Sequence, residues 1–166
     1  RRQLAKTGVL RSAYMLGNGE EVMLAATDLL AETKVAPELS NEAHYYRAKA
    51  YLDAGKVEGA MDDLKILAKD TRNIYGAEAK YKVAQIYFDA GQTEQAEKEV
   101  LDYIEVSTPH TYWLARSFVL LSDVYMKLGR NLDAKQYLLS LKQNYQADDD
   151  IAGMIESRLN KLNAEN

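Results

Sequence analysis

His44 and His110 are the chain's only imidazoles, and there is no cysteine. Neither histidine has a second His or a Cys at ligand spacing, so a zinc site has no donor set here, and no disulfide framework can form. The run Asp148, Asp149, Asp150 lacks the glycine and the twelfth-position glutamate of a calcium loop. It suits instead a solvated cap that complements the dipole of a following helix. Gly17-Asn18-Gly19 is not followed by the Lys-Ser/Thr of a phosphate loop and reads as a turn. No Ser-His-Asp set can be drawn, because both histidines fall at helix starts in different segments, and no acidic pair stands out from the general surface charge. The expectation is a protein that is not an enzyme and uses no metal or cofactor.

Composition narrows the partners. The formal charge is -4 over 166 residues, with no clustered Lys/Arg stripe to neutralise a phosphate backbone, so nucleic acid is not expected. Twelve tyrosines could suggest base stacking, yet the acidic balance opposes it. The longest apolar runs, such as Phe118 to Leu121, are far short of the ~20 residues that span a bilayer, and no membrane insertion is expected. Apolar residues at 47% and charged residues at 28% are those of a packed domain. The chain opens Arg1-Arg2-Gln3 with no initiator Met or signal sequence, which reads as a piece of a longer polypeptide or a processed form.

The elements that would carry any site emerge from self-similarity. Three ungapped blocks line up, YLDAGKVEGAMDDL from Tyr51, YFDAGQTEQAEKEV from Tyr87 and YMKLGRNLDAKQYL from Tyr125. Their columns are Tyr51/Tyr87/Tyr125, Gly55/Gly91/Gly129 and Ala60/Ala96/Ala134, with Ala48/Ala84/Ser122 upstream and Leu64/Val100/Leu138 downstream, at periods of 36 and 38 residues. Small residues three before the Tyr and at the Ala column permit two antiparallel helices to approach closely, and the Tyr ring fills the wedge between hairpins. The glycine sits where the first helix must stop, in the left-handed conformation of a helix C-cap. Apolar positions stepping by three or four support helices on both sides of it.

The spacing predicts helices over 3–16, 20–34, 41–54, 57–70, 76–90, 93–107, 110–128, 131–145 and 150–163. Thr108-Pro109 and Ser40-Asn41 supply start signals for two of them, and Asp148 to Asp150 for the last. The hairpin over 3–34 is degenerate: at the 36-residue offset Leu24 stands where Ala belongs, with Ala25 beside it, so its register is expected to slip by one. The repeats proper are 41–70, 76–107 and 110–145. In the final segment Ile151, Met154, Ile155, Leu159 and Leu162 line one side, as a helix capping the last hairpin requires. The whole is read as one domain over 1–166.

These columns resemble the tetratricopeptide repeat family, well over 41–145 and poorly over 3–34. The period exceeds the family's usual 34 residues, and the family's Trp is replaced by His44, Lys80 and Phe118. The resemblance implies an all-α, right-handed superhelical solenoid of antiparallel hairpins, about four hairpins plus a C-terminal capping helix. The stretch YGAEAKYKVAQIYFDAG from Tyr75 is similar in style to bacterial cell-envelope members of the family, including outer-membrane assembly lipoproteins and periplasmic cell-division coordinators. That similarity implies a periplasmic or cell-envelope location, with the cytoplasm left open.

In this family the first helices line a concave groove, so a binding site is sought on their outward columns. Counting from the core column gives Tyr45/Tyr81/Val119, Lys49/Gln85/Asp123, Leu52/Phe88/Met126 and Asp53/Asp89/Lys127. Two of the four columns are apolar or aromatic, which suits an apolar-faced helix or an extended peptide. The expected function is a scaffold that binds a protein or peptide in that groove. The alternative is a structural role as the end of a longer solenoid, stacking or self-associating through the N-terminal hairpin.

Overall fold

The computed structural model describes residues 2–165. Among them are nine helices and no strand: α1 (Arg2–Met15), α2 (Gly19–Leu30), α3 (Pro37–Asp53), α4 (Val57–Leu67), α5 (Ile74–Asp89), α6 (Thr93–Glu105), α7 (Thr111–Lys127), α8 (Asn131–Asn144) and α9 (Ile151–Ala164). Each overlaps a segment predicted from spacing. The helices fall into two compact units, Arg1–Asp70 and Thr71–Asn166.

The turns have one physical origin. Gly17, Gly55, Gly91 and Gly129 adopt φ of 71°, 74°, 78° and 77°, the left-handed region where a side chain is strained. At Gly91 the N–H donates to the Phe88 carbonyl and the next N–H, of Gln92, donates to the Tyr87 carbonyl, at 3.0 and 2.9 Å. This pair of bonds satisfies the carbonyls that a helix end leaves open. The other three turns repeat it, so the recurring spacing of Tyr and Gly is the spacing of the acceptor and the residue that reverses the chain. Gly91→Val is accordingly expected to destabilise the chain by roughly 1–2 kcal/mol. Urea denaturation measures it, and an unchanged midpoint would refute the turn assignment.

In the first unit α1 and α2 form a hairpin, α3 packs on both, and α4 pairs with α3. Its core gathers Leu10, Ala13, Val22, Ala25, Ala26, Leu29, Ala43 and Ala50. Here the expected register is corrected. Gly17 is the turn glycine, so the offset to Gly55 is 38 residues, not 36, and the Ala column falls on Val22, which is 2% exposed, while Leu24 is 72% exposed. The slip is two residues, because Gly19 opens α2 and plays no part in the cap of α1. Asn18 caps α2 by accepting from the Glu21 N–H at 3.2 Å, and its amide donates to the Glu21 carboxylate at 3.1 Å.

In the second unit α5 pairs with α6 and α7 with α8, α7 packs on α5 and α6, and α9 packs on α7 and α8. The α9 helix thus takes the place relative to its predecessors that α7 takes relative to α5 and α6. Tyr103, fully buried, donates to the Ala77 carbonyl at 3.1 Å, and burial pushes its phenol up to about 12. Ala60, Ala96 and Ala134 are fully buried, as are Ser122, Val100 and Leu138.

Two start signals differ from expectation. The α3 helix begins at Pro37 and not at Asn41, because a proline's missing N–H costs nothing in the first turn. Ser40 and Asn41 lie inside the helix. Before α7, the Thr108 hydroxyl accepts from the His110 N–H at 3.1 Å, a turn that leaves Pro109 outside a helix starting at Thr111. At α9 the N-cap position is Asp150, which makes no side-chain capping bond, and Asp149 before it accepts from the Ile151 N–H at 2.9 Å. Asn73, not foreseen, caps α5 by accepting from the Tyr75 and Gly76 N–H groups.

The column where the family carries Trp is filled by pairs. His44 meets Asp63 at 2.8 Å, Lys80 meets Glu99 at 2.7 Å, and Phe118 meets Tyr137 with ring centroids 6.1 Å apart. Asp63, Glu99 and Tyr137 share one column on the second helices, so the contact is kept while its chemistry changes from ionic to aromatic. Arg47 completes the first pair, bonding both Asp63 oxygens at 2.7 and 2.9 Å.

Candidate functional site

The twelve residues expected to line a groove divide between the two units. On α3, Tyr45, Lys49 and Leu52 are half-buried and Asp53 is exposed. The Lys49 ammonium lies 5.2 Å from the Tyr45 ring centroid, a cation over an aromatic face.

In the second unit α5 contributes Tyr81, Gln85, Phe88 and Asp89, and α7 contributes Val119, Asp123, Met126 and Lys127. Two of these are not groove residues in the sense expected. Tyr81 is 6% and Val119 3% exposed, both members of the core, because α7 packs directly on α5 and that column falls inside their contact. Tyr81 keeps only its hydroxyl for polar work, donating to Gln85 at 2.8 Å, and Gln85 in turn donates to Asp89 at 2.8 Å.

Of the six others in this unit, four line one cleft and Gln85 and Asp89 do not. Phe88, Asp123, Met126 and Lys127, joined by Lys161 of α9 and Glu165 just after it, surround a cleft of about 350 Å³. Phe88 and Met126 rest on the core and form the apolar part. Asp123 is fixed by both arms of Arg158 at 2.7 and 2.9 Å, a planar fork that holds the carboxylate in one orientation. A larger depression of about 970 Å³ lies along α6, walled mostly by that helix, with Tyr87, Phe118 and Tyr137 beyond it.

Two turns toward the start of α7 from Asp123 stands a group that the column count missed. Arg116 donates from Nη1 to the Tyr112 hydroxyl at 2.9 Å and from Nη2 to the Tyr81 hydroxyl at 3.0 Å. Its guanidinium carbon lies 4.9, 5.8 and 5.8 Å from the ring centroids of Tyr81, Tyr112 and Trp113. The Tyr112 hydroxyl donates onward to Asp150 at 2.8 Å. Arg116 occupies the column of Glu42 and Glu78, three residues before Val119; its charge, opposite to theirs, was the available signal. The α9 residues were beyond a column count, since α9 carries no turn glycine to set its register.

Among the described residues no three His, Asp or Glu side chains come together to hold a metal ion, and no helix is long and apolar enough to cross a membrane. On the N-terminal hairpin Leu4, Met15, Leu16 and Leu24 are 66%, 85%, 81% and 72% exposed.

No family model and no curated protein matches the chain. Two solved structures are similar in fold, both of nearly identical TPR-like repeats from a Podosopora anserina protein assigned as a kinesin light chain. The first has a TM-score of 0.63 at 16% identity, covering 97% of this chain and 85% of that one. The second, a single-substitution form of the same protein, has a TM-score of 0.60 at 15% identity, covering 98% and 93%. The hairpins, their left-handed glycine turns and this likeness agree: the chain has the fold of the TPR-like helical repeats, an all-α helical repeat solenoid.

Proposed function

We propose that this chain is a non-catalytic scaffold that binds a peptide or protein segment on the α5–α7–α9 face of its second unit. The observation that supports this most directly is the cleft of Phe88, Asp123, Met126, Lys127, Lys161 and Glu165. Three helices contribute to it, its apolar side chains are partly exposed, and charges of both signs rim it. That is the composition of a surface that anchors one apolar side chain and orients the polar backbone around it. The α6 depression is the weaker candidate, since one helix supplies most of its wall.

Phe88→Ala with Met126→Ala is expected to weaken binding of a captured partner at least tenfold, because a few desolvated anchors carry most of an interface's energy, about 2 kcal/mol or more each. Lys98→Ala with Glu105→Ala, on α6, is expected to leave it unchanged. Isothermal titration of both variants decides; the reverse pattern would move the site to α6.

The exposed Leu4, Met15, Leu16 and Leu24 favour a second reading, in which the N-terminal hairpin associates with another copy. Light scattering on the same samples separates the two. A dimer that Leu16→Glu dissolves supports association, and a monomer at all concentrations removes it.

A further inference from the structure

We infer that the flank of α6 that faces α8 is a second docking surface, for an extended protein segment carrying Lys or Arg on either side of one apolar residue. The inference goes beyond the α5–α7–α9 reading, since it concerns the second helices and a partner of basic character.

Both α6 and α8 lie on α7, and they do not pack on one another. The depression of about 970 Å³ along α6 and one of about 340 Å³ along α8 meet at Phe118 and Tyr137, which line both. These two rings are half-buried. Beside them on α6, Ile104 is half-buried and Leu101 is 38% exposed. One repeat earlier the same column is closed by an ion pair, Lys80 with Glu99. Here rings close it, and they leave an apolar floor within reach of solvent.

Charge decides what suits that floor. From Thr93 to Glu105, α6 holds five carboxylates and one lysine, a net of -4. The whole chain has the same formal charge of -4, so the other residues balance among themselves. Lys80 meets Glu99 and Asp102, and Arg130 reaches Glu97 at 3.7 Å; two cations still leave the flank negative. Stability does not account for the excess. Glu105 ends α6, where the helix dipole opposes a carboxylate, and the last turn holds no basic residue. Glu105 also makes no ion pair among the described residues. An arriving ammonium or guanidinium removes that repulsion, so binding gains there what folding forgoes.

Spacing gives the segment its form. Glu97, Leu101, Ile104 and Glu105 lie along one flank of α6, and the two carboxylates are eight residues apart, about 12 Å at the rise of a helix. In an extended segment the first, third and fifth residues face one side and span about 13 Å. The sequence Lys-x-Phe-x-Lys therefore sets a cation at each carboxylate and its ring over Leu101 and Ile104.

A heteronuclear NMR titration of the intact chain reports both the place and the affinity of binding. The probe is the acetylated, amidated peptide Gly-Lys-Ser-Phe-Ser-Lys-Gly. One comparison peptide carries Glu in place of both Lys, and another carries Ala in place of Phe. The Lys peptide is expected to shift backbone amides of α6 and α8 saturably and to bind about tenfold more tightly than its Glu twin, the difference shrinking with salt. Loss of the ring is expected to weaken binding about threefold or more. Glu97→Gln with Glu105→Gln is expected to erase the preference for Lys, and Phe88→Ala with Met126→Ala to leave it intact. Equal binding of the Lys and Glu peptides, shifts confined to α5 and α9, or no saturable shift at millimolar concentration overturns the inference, and none of these needs a variant to fold. A preference for Lys that survives the double Gln change overturns it as well. The α5–α7–α9 reading is decided separately, by Phe88 and Met126.

Discussion

Replacing Asp63 with Ala lowers the stability of the chain by about 3–5 kcal/mol, the expected cost of stripping a buried ion pair of one member. Asp63 is 1% exposed and binds His44 at 2.8 Å and both arms of Arg47. Its loss leaves the Arg47 guanidinium, itself mostly covered, with no carboxylate at that site. Burial alone would push the Asp63 carboxyl up, but the hydrogen bonds and charge of His44 and Arg47 outweigh it and hold it below the ordinary value of 3.8. The group is therefore more acidic folded than unfolded. Its contribution is complete above the unfolded value and is lost as pH falls through the folded one. Urea unfolding of the parent and Asp63→Asn between pH 7 and pH 2 is expected to show a gap that is constant above about pH 5 and narrows below about pH 4. A gap that widened on acidification would mean that the carboxyl is held neutral in the fold.

A chain ending at Asp148 is expected to aggregate and to melt at a lower temperature than the parent. Ile151, Ile155, Leu159 and Leu162 of α9 are 1%, 2%, 6% and 2% exposed. Each is worth about 1.5–3 kcal/mol on burial, so together they approach the whole stability of a typical domain, about 5–15 kcal/mol. Their removal also uncovers the α7 and α8 surfaces on which they pack. The outward positions of α9, among them Glu156, Ser157, Asn160, Lys161 and Asn163, are exposed and polar, as suits the outer face of a terminal helix. Light scattering and a thermal melt check the prediction. A truncated chain that scatters and melts as the parent does would show that α9 does not cap the second unit.

How far the sequence alone reaches can be seen at single residues. Gly91 was legible because a left-handed turn demands one residue type at one distance from the helix it ends, and that demand recurs in every block. Ala96 and Ser122 were legible because two helices in close approach leave no room for anything larger. Helix ends were less so: Ser40 and Thr108 had the chemistry of caps, but Pro37 and the turn at His110 set the boundaries. Leu24 was set in the column that Val22 fills because two glycines, Gly17 and Gly19, compete for one role, and only the backbone conformation distinguishes them.

The candidate site depended more on the tertiary structure. Local periodicity determines that Tyr81, Phe88, Val119 and Met126 lie toward one side of their helices, since that follows from 3.6 residues per turn. It does not say how near the neighbouring helix comes. The packing of α7 on α5 decided that Tyr81 and Val119 are core while Phe88 and Met126 keep an open edge. Arg158, Lys161 and Glu165 entered only because α9 folds back on α7, a contact with no register in the sequence. The same holds for the Trp column: His44, Lys80 and Phe118 look like unrelated departures until the second helices bring Asp63, Glu99 and Tyr137 opposite them. Repetition along the chain encodes which residues turn and which stay small, because those demands are local. Which exposed side chains meet, and which charge is left without a partner, is set by the distance between helices, and that is a property of the packed fold.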